Sequence, residues 1–124
     1  MTTYPFASMR ENFNLSAYFV VGPDDTHDRS IADVVEEAPL GGATFIQLRD
    51  KHADAQTLTG MAQDIAQIIE DNNRSDSVAF VIDDRVDVAW QCRSKGIKVD
   101  GVHIGQTDME PQQARRMLGA GAII

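Results

Sequence analysis

The feature that most constrains this chain is its alternation of short, unbroken apolar runs with segments of helical period. AYFVV (17–21), TFIQL (44–48), VAFVI (78–82) and VHI (102–104) read as strands, and AII (122–124) as the opening of a fifth. None alternates polar with apolar residues, as expected of strands covered on both faces. Between them Leu58, Met61, Ala62, Ile65, Ile68 and Ile69 fall on one face of a helix, with Asp54 at its N-cap and Asn72–Asn73 at its end. Ile31, Val34, Val35 and Ala38 form a second stripe, closed by Pro39 and Gly41–Gly42. Val86, Ala89 and Trp90 form a third, ending at Gly96. Pro111 suits the first turn of a last helix with inner face Ala114, Met117 and Leu118, ended by Gly119. This alternation predicts βαβ units on a parallel sheet, an α/β fold.

The chain's 124 residues allow one domain. Its 11 Lys+Arg and 19 Asp+Glu leave a net charge of 11 − 19 = −8, which argues against nucleic acid as a partner, because phosphate-backbone binding needs a positive footprint. No apolar stretch approaches the roughly 20 residues that cross a bilayer, so no membrane association is expected. Residues 1–15 lack the apolar middle of a signal peptide, and residues 1–16 read as an N-terminal extension. The single cysteine, Cys92, cannot form an internal bridge, which fits a reducing compartment. The expected location is the cytoplasm.

In parallel α/β sheets ligands sit beyond the carboxyl ends of the strands. Strand two runs into Gln47-Leu48-Arg49-Asp50-Lys51, strand three into Asp83-Asp84-Arg85, and strand four into Gly105-Gln106-Thr107-Asp108. Alone, each set has an ordinary account as a solvated turn or a helix N-cap. Together, at three consecutive strand ends, they suggest metal-assisted phosphate handling. Arg49 supplies a planar fork and Lys51 a mobile point charge for phosphate oxygens. Asp84 and Asp108 supply hard oxygen ligands for Mg²⁺, which takes one or two carboxylates and completes its shell with water and substrate phosphate. Asp83, next to Asp84, is expected to point to the opposite face or along the loop, so the two do not both ligate. His103 reads as a packed core histidine, His27 and His52 as loop residues, and Cys92 has no nearby histidine to activate it.

Four stretches in order carry a resemblance: YFVV (18–21), GGATFIQLRDK (41–51), FVIDDRVDVA (80–89) and GVHIGQTDM (101–109). At these residues the sequence resembles the thiamine-phosphate synthase family, from residue 17 to the end of the chain. The resemblance implies a (βα)₈ TIM barrel. Such barrels run to about 250 residues, so residues 17–124 would supply four βα units and the start of strand five, a single partial barrel domain. It implies coupling of hydroxymethylpyrimidine diphosphate to thiazole phosphate with release of pyrophosphate, by a dissociative route assisted by Mg²⁺. By the same resemblance Gln47, Arg49 and Lys51 hold the pyrimidine diphosphate, with Arg49 and Lys51 catalytic, and Asp84 and Asp108 bind Mg²⁺. The family usually has Asn where this chain has Asp83, a position that contacts the same substrate. A later Ser, a Lys and the Gly-rich loops for the thiazole phosphate are not in this sequence, so the chain is expected to bind Mg²⁺ and diphosphate without turning over efficiently. Two other readings are a thiazole tautomerase-like paralogue and a non-catalytic phosphate-binding half-barrel module. Half a barrel also leaves strand edges and an inner face unpaired, so Val20, Phe45 and Val81 are expected to be partly wet and the chain to self-associate.

Overall fold

The structure, a computed structural model, describes residues 4–6, 8–10, 13, 15, 18–22, 42–50, 54–75, 77–104 and 110–124. The helix expected over 31–38, and Lys51, Asp108, His27 and His52, lie outside the described residues. Four strands, β1 (Tyr18–Val21), β2 (Phe45–Leu48), β3 (Ala79–Asp83) and β4 (Gly101–His103), form one sheet in the order β1-β2-β3-β4. Every pairing is parallel. Three described helices, α1 (Ala55–Asp71), α2 (Val86–Ser94) and α3 (Pro111–Leu118), alternate with the strands. None is long and apolar enough to cross a membrane.

Side chains alternate across a strand, so each strand sends one set to the helices and one to the opposite face. Ile46, Leu48, Phe80, Ile82 and Val102 meet Leu58, Ala62, Ile65 and Ile69 of α1, Val86, Val88, Ala89 and Cys92 of α2, and Ala114 and Leu118 of α3. Each large aliphatic side chain removed from water contributes roughly 1.5–3 kcal/mol. The expected stripe of α1 is the buried one, and Asp54 caps it by accepting the Thr57 N–H at 2.7 Å. The stripe of α2 differs from expectation. Trp90 is 50 % exposed, while Val88 and Cys92 are buried. This short helix packs against β3, β4, α1 and α3 at once, which turns its buried arc away from Trp90. Met117 of α3 is likewise exposed, and Ala114 with Leu118 alone carries its contact.

On the opposite face Met9, Phe45, Ala79, Val81 and Ile123 make a second buried cluster. Val20 is exposed as expected, but Phe45 and Val81 are 5 % and 1 % exposed, which corrects the expectation that both are wet. The reason is that Met9 and Phe13, from before β1, lie against this face. Phe13 meets the Phe45 ring edge-on and Tyr18 stacks on it. Ser8 Oγ donates to the Gly121 carbonyl and Arg10 Nη1 to that of Ala120, each at 2.7 Å. Ser8, Met9, Arg10 and Phe13 thus pack against or bond to the rest of the fold.

Ile123 continues the sheet by a parallel bridge to Gly101, its N–H donating to Asp100 O at 2.8 Å and its carbonyl accepting from Val102 N at 3.0 Å. A Cβ on Gly101 would lie 1.8 Å from the Ile123 carbonyl oxygen, so only glycine admits this approach.

Candidate functional site at the carboxyl ends of the strands

The register Gln47↔Val20, Gln47↔Val81 and Asp83↔His103 places Val20, Gln47, Val81, Asp83 and His103 on one face. Gln47 and Asp83, both buried, stand at the carboxyl ends of β2 and β3. Arg49 follows β2, exposed, with Nε 3.7 Å from Asp83 Oδ2. On the other side His103 Nδ1 lies 3.0 Å from Asp83 Oδ1. The Asp83 carboxylate thus sits between a guanidinium and an imidazole. A buried carboxylate needs such partners, because leaving water unpaired costs several kcal/mol.

His103 corrects the sequence expectation. Its side chain is 59 % exposed and paired to Asp83, not packed in a core. It ends β4, and its parity puts it on the face away from the helices.

Asp84 directly follows β3 with φ 63, a left-handed backbone that non-glycine residues adopt sparingly and that recurs at functional positions. Its N–H donates to the His103 carbonyl at 2.8 Å, fastening the end of β3 to the end of β4. Arg85, next along, pairs with Asp87 at 3.2 Å in the first turn of α2, so this arginine serves the helix start. The hydrogen bond from Arg85 holds the Asp87 carboxyl below its ordinary range.

Tyr18 was not legible as a site residue. It starts β1 opposite Phe45, two residues before Gln47 in the register, and its hydroxyl accepts a hydrogen bond from Gln47 Nε2. Partial burial raises its phenol above the ordinary value, the Gln47 N–H opposes this, and the charge of Asp83 adds to it. The only sequence signal would have been its parity with Val20 and, through the register, with Gln47.

Among the described residues no group of three His, Cys, Asp or Glu side chains could hold a metal. Mg²⁺ does not require one, since one or two carboxylates with substrate phosphate and water suffice. Asp84 fits such a ligand by chemistry and position. Gln47, Arg49, Asp83 and Asp84 are thus gathered at one end of the sheet. Cys92 is buried in the core, and burial pushes its thiol to about 11, so it is no nucleophile here.

The thiamine monophosphate synthase family matches residues 17–124. A thiamine-phosphate synthase of Azorhizobium caulinodans is 38 % identical over 116 residues, covering 94 % of this chain and 50 % of the relative. The corresponding protein of Corynebacterium jeikeium is also 38 % identical, with the same coverage of each. The solved thiamine phosphate pyrophosphorylase of Pyrococcus furiosus superposes with a TM-score of 0.65 at 29 % identity, covering 86 % of this chain and 46 % of that one. The chain therefore spans about half the length of these relatives. Its parallel α/β sheet and its sequence agree: the chain belongs to the thiamine monophosphate synthase family.

Proposed function

We propose that this chain carries the pyrimidine-diphosphate half of a thiamine-phosphate synthase site, in the first four βα units of a TIM barrel. The observation that supports it most is the meeting of Gln47, Arg49 and the Asp83-Asp84 pair at the carboxyl ends of adjacent parallel strands. In that reaction hydroxymethylpyrimidine diphosphate loses pyrophosphate and the thiazole nitrogen takes the pyrimidine methylene carbon.

Each side chain has a task in this reading. Arg49 places its guanidinium against the diphosphate and neutralises charge that grows as the C–O bond to pyrophosphate lengthens. A well-placed donor to developing oxyanion charge is worth roughly 3 kcal/mol of barrier. Lys51 adds a second cation there. Gln47, fixed by its bond to Tyr18, orients the pyrimidine end. Asp84 and Asp108 would hold Mg²⁺. Bound there, the ion would draw negative charge from the diphosphate oxygens and make pyrophosphate a better leaving group. Bond breaking precedes capture by the thiazole, so no covalent intermediate with the protein forms. The thiazole-phosphate subsite is assigned to no residue of this chain.

A calorimetric titration with hydroxymethylpyrimidine diphosphate, with and without Mg²⁺, tests the reading. Binding that depends on Mg²⁺ and is lost in Asp84→Ala is expected. Heat unchanged by that substitution removes Asp84 from the metal role, and no binding at all defeats the reading.

A further inference from the structure

Asp83 contacts two neighbours, one through each carboxylate oxygen. Oδ1 lies 3.0 Å from His103 Nδ1 and Oδ2 lies 3.7 Å from Arg49 Nε, while the Asp83 side chain is 9 % exposed against 52 % for Arg49 and 59 % for His103. The two side chains that reach outward are the ones the carboxylate holds. An ionised carboxylate only accepts hydrogen bonds, so the facing Nδ1 carries the proton and donates it to Oδ1. This leaves Nε2 of His103 and the two terminal amino groups of Arg49 for a ligand, and none of the three makes a hydrogen bond among the described residues.

We infer that Asp83 is a positioning residue, which sets the tautomer of His103 and the orientation of Arg49, and that His103 is a further ligand-contacting residue at this rim. Asp83 itself is turned away from the ligand by its own partners. The diphosphate character of the ligand rests on the proposed function above, whereas the arrangement does not. An amide could not do the same work. Arg49 and His103 face different oxygens of Asp83, so an asparagine in the same orientation would turn its oxygen to one of them and its NH₂ to the other. The histidine would then relieve the conflict by moving its proton to Nε2. Supporting partners of this kind commonly set the ring nitrogen that remains available in histidine sites.

The test pairs a readout of the ring with a readout of binding. Ring ¹⁵N shifts of His103, identified by their loss in His103→Gln, are measured at about pH 8.5, above the ordinary histidine range. The expected wild-type pattern is Nδ1–H with bare Nε2, and Asp83→Asn moves the proton to Nε2 or mixes the two forms. A bare Nδ1 in the wild-type protein overturns the inference without needing any variant. Binding of inorganic pyrophosphate with Mg²⁺ is then compared between the two proteins. A carboxylate that merely repelled the anion would make Asp83→Asn bind more tightly. A positioning carboxylate makes it bind roughly tenfold more weakly. Equal or tighter binding by Asp83→Asn overturns the inference. If the wild-type protein binds no pyrophosphate, the proposed function falls, and the ring nitrogens still decide the role of Asp83.

Discussion

Lys98 Nζ lies 2.7 Å from Asp100 Oδ2, and neither side chain reaches solvent. Asp100 also accepts the Phe80 N–H at 2.8 Å, and the hydroxyl of Tyr4 lies 3.4 Å from its other oxygen. This pair sits at the end of β3 and β4 remote from Asp83 and Asp84, where it locks the entry to β4. Burial pushes the Asp100 carboxyl above its ordinary range, and Lys98 with the Phe80 N–H pulls against it.

Removing one partner of this pair strands the other. Lys98→Met should cost roughly 3–5 kcal/mol of unfolding free energy, measured by urea denaturation near neutral pH. Since the folded pKa of Asp100 is raised, its favourable contribution is present below the unfolded value and is lost as pH rises through the folded one. The deficit of Lys98→Met should therefore shrink as pH is lowered toward about 4. Lys98→Met with Asp100→Asn should recover much of the loss. A deficit that grows on acidification would refute this account of the pair.

Met9 seals the sheet face that the helices do not cover. Met9→Ala should destabilise by roughly 2–5 kcal/mol and expose Phe45 and Val81 to dye binding. Normal stability in that variant would mean that the N-terminal segment does not carry the second core cluster.

Gly101 is the point where β4 and Ile123 approach most closely. Gly101→Ala should cost roughly 1–3 kcal/mol or more and should first release the Ile123 amide. Hydrogen exchange reads this directly, since the Ile123 N–H donates to Asp100 O. Protection retained at Ile123 would rule out the steric account.

Asp54 caps α1, and the Thr57 N–H holds its carboxyl below the ordinary value. A depressed carboxyl pKa adds stability above the unfolded value and loses it as pH falls through the folded one. Asp54→Ala should therefore lower Tm near neutral pH and make no difference in strong acid, as calorimetry across pH would show.

What was legible in the sequence follows from the range of the signals. The strands were visible because unbroken apolar runs such as VAFVI announce burial on both faces, and α1 because six residues keep one helical face. Asp54 and Pro111 declared their helix starts through local chemistry. The role of Met9 was hidden, because an isolated apolar residue outside any periodic segment carries no pattern and its partners lie far along the chain. The exposure of Trp90 was hidden because the buried arc of a short helix is set by neighbours on several sides. The pairing of His103 with Asp83 depends on the relative register of two strands, and a shift of one residue would send either side chain to the other face. Gln47, Arg49, Asp83 and Asp84 were read from their place at the carboxyl ends of the strands, and Tyr18 and His103 enter only through that register.

The central claim is that the carboxyl ends of β2, β3 and β4 meet one diphosphate-bearing ligand. The most direct measurement is the map of backbone amide shifts on adding hydroxymethylpyrimidine diphosphate with Mg²⁺. Shifts concentrated at Gln47–Asp50, Asp83–Arg85 and His103–Ile104 are the predicted result. Shifts confined to the remote end, around Lys98–Asp100 and Ala120–Ile123, or spread without a focus, would contradict it.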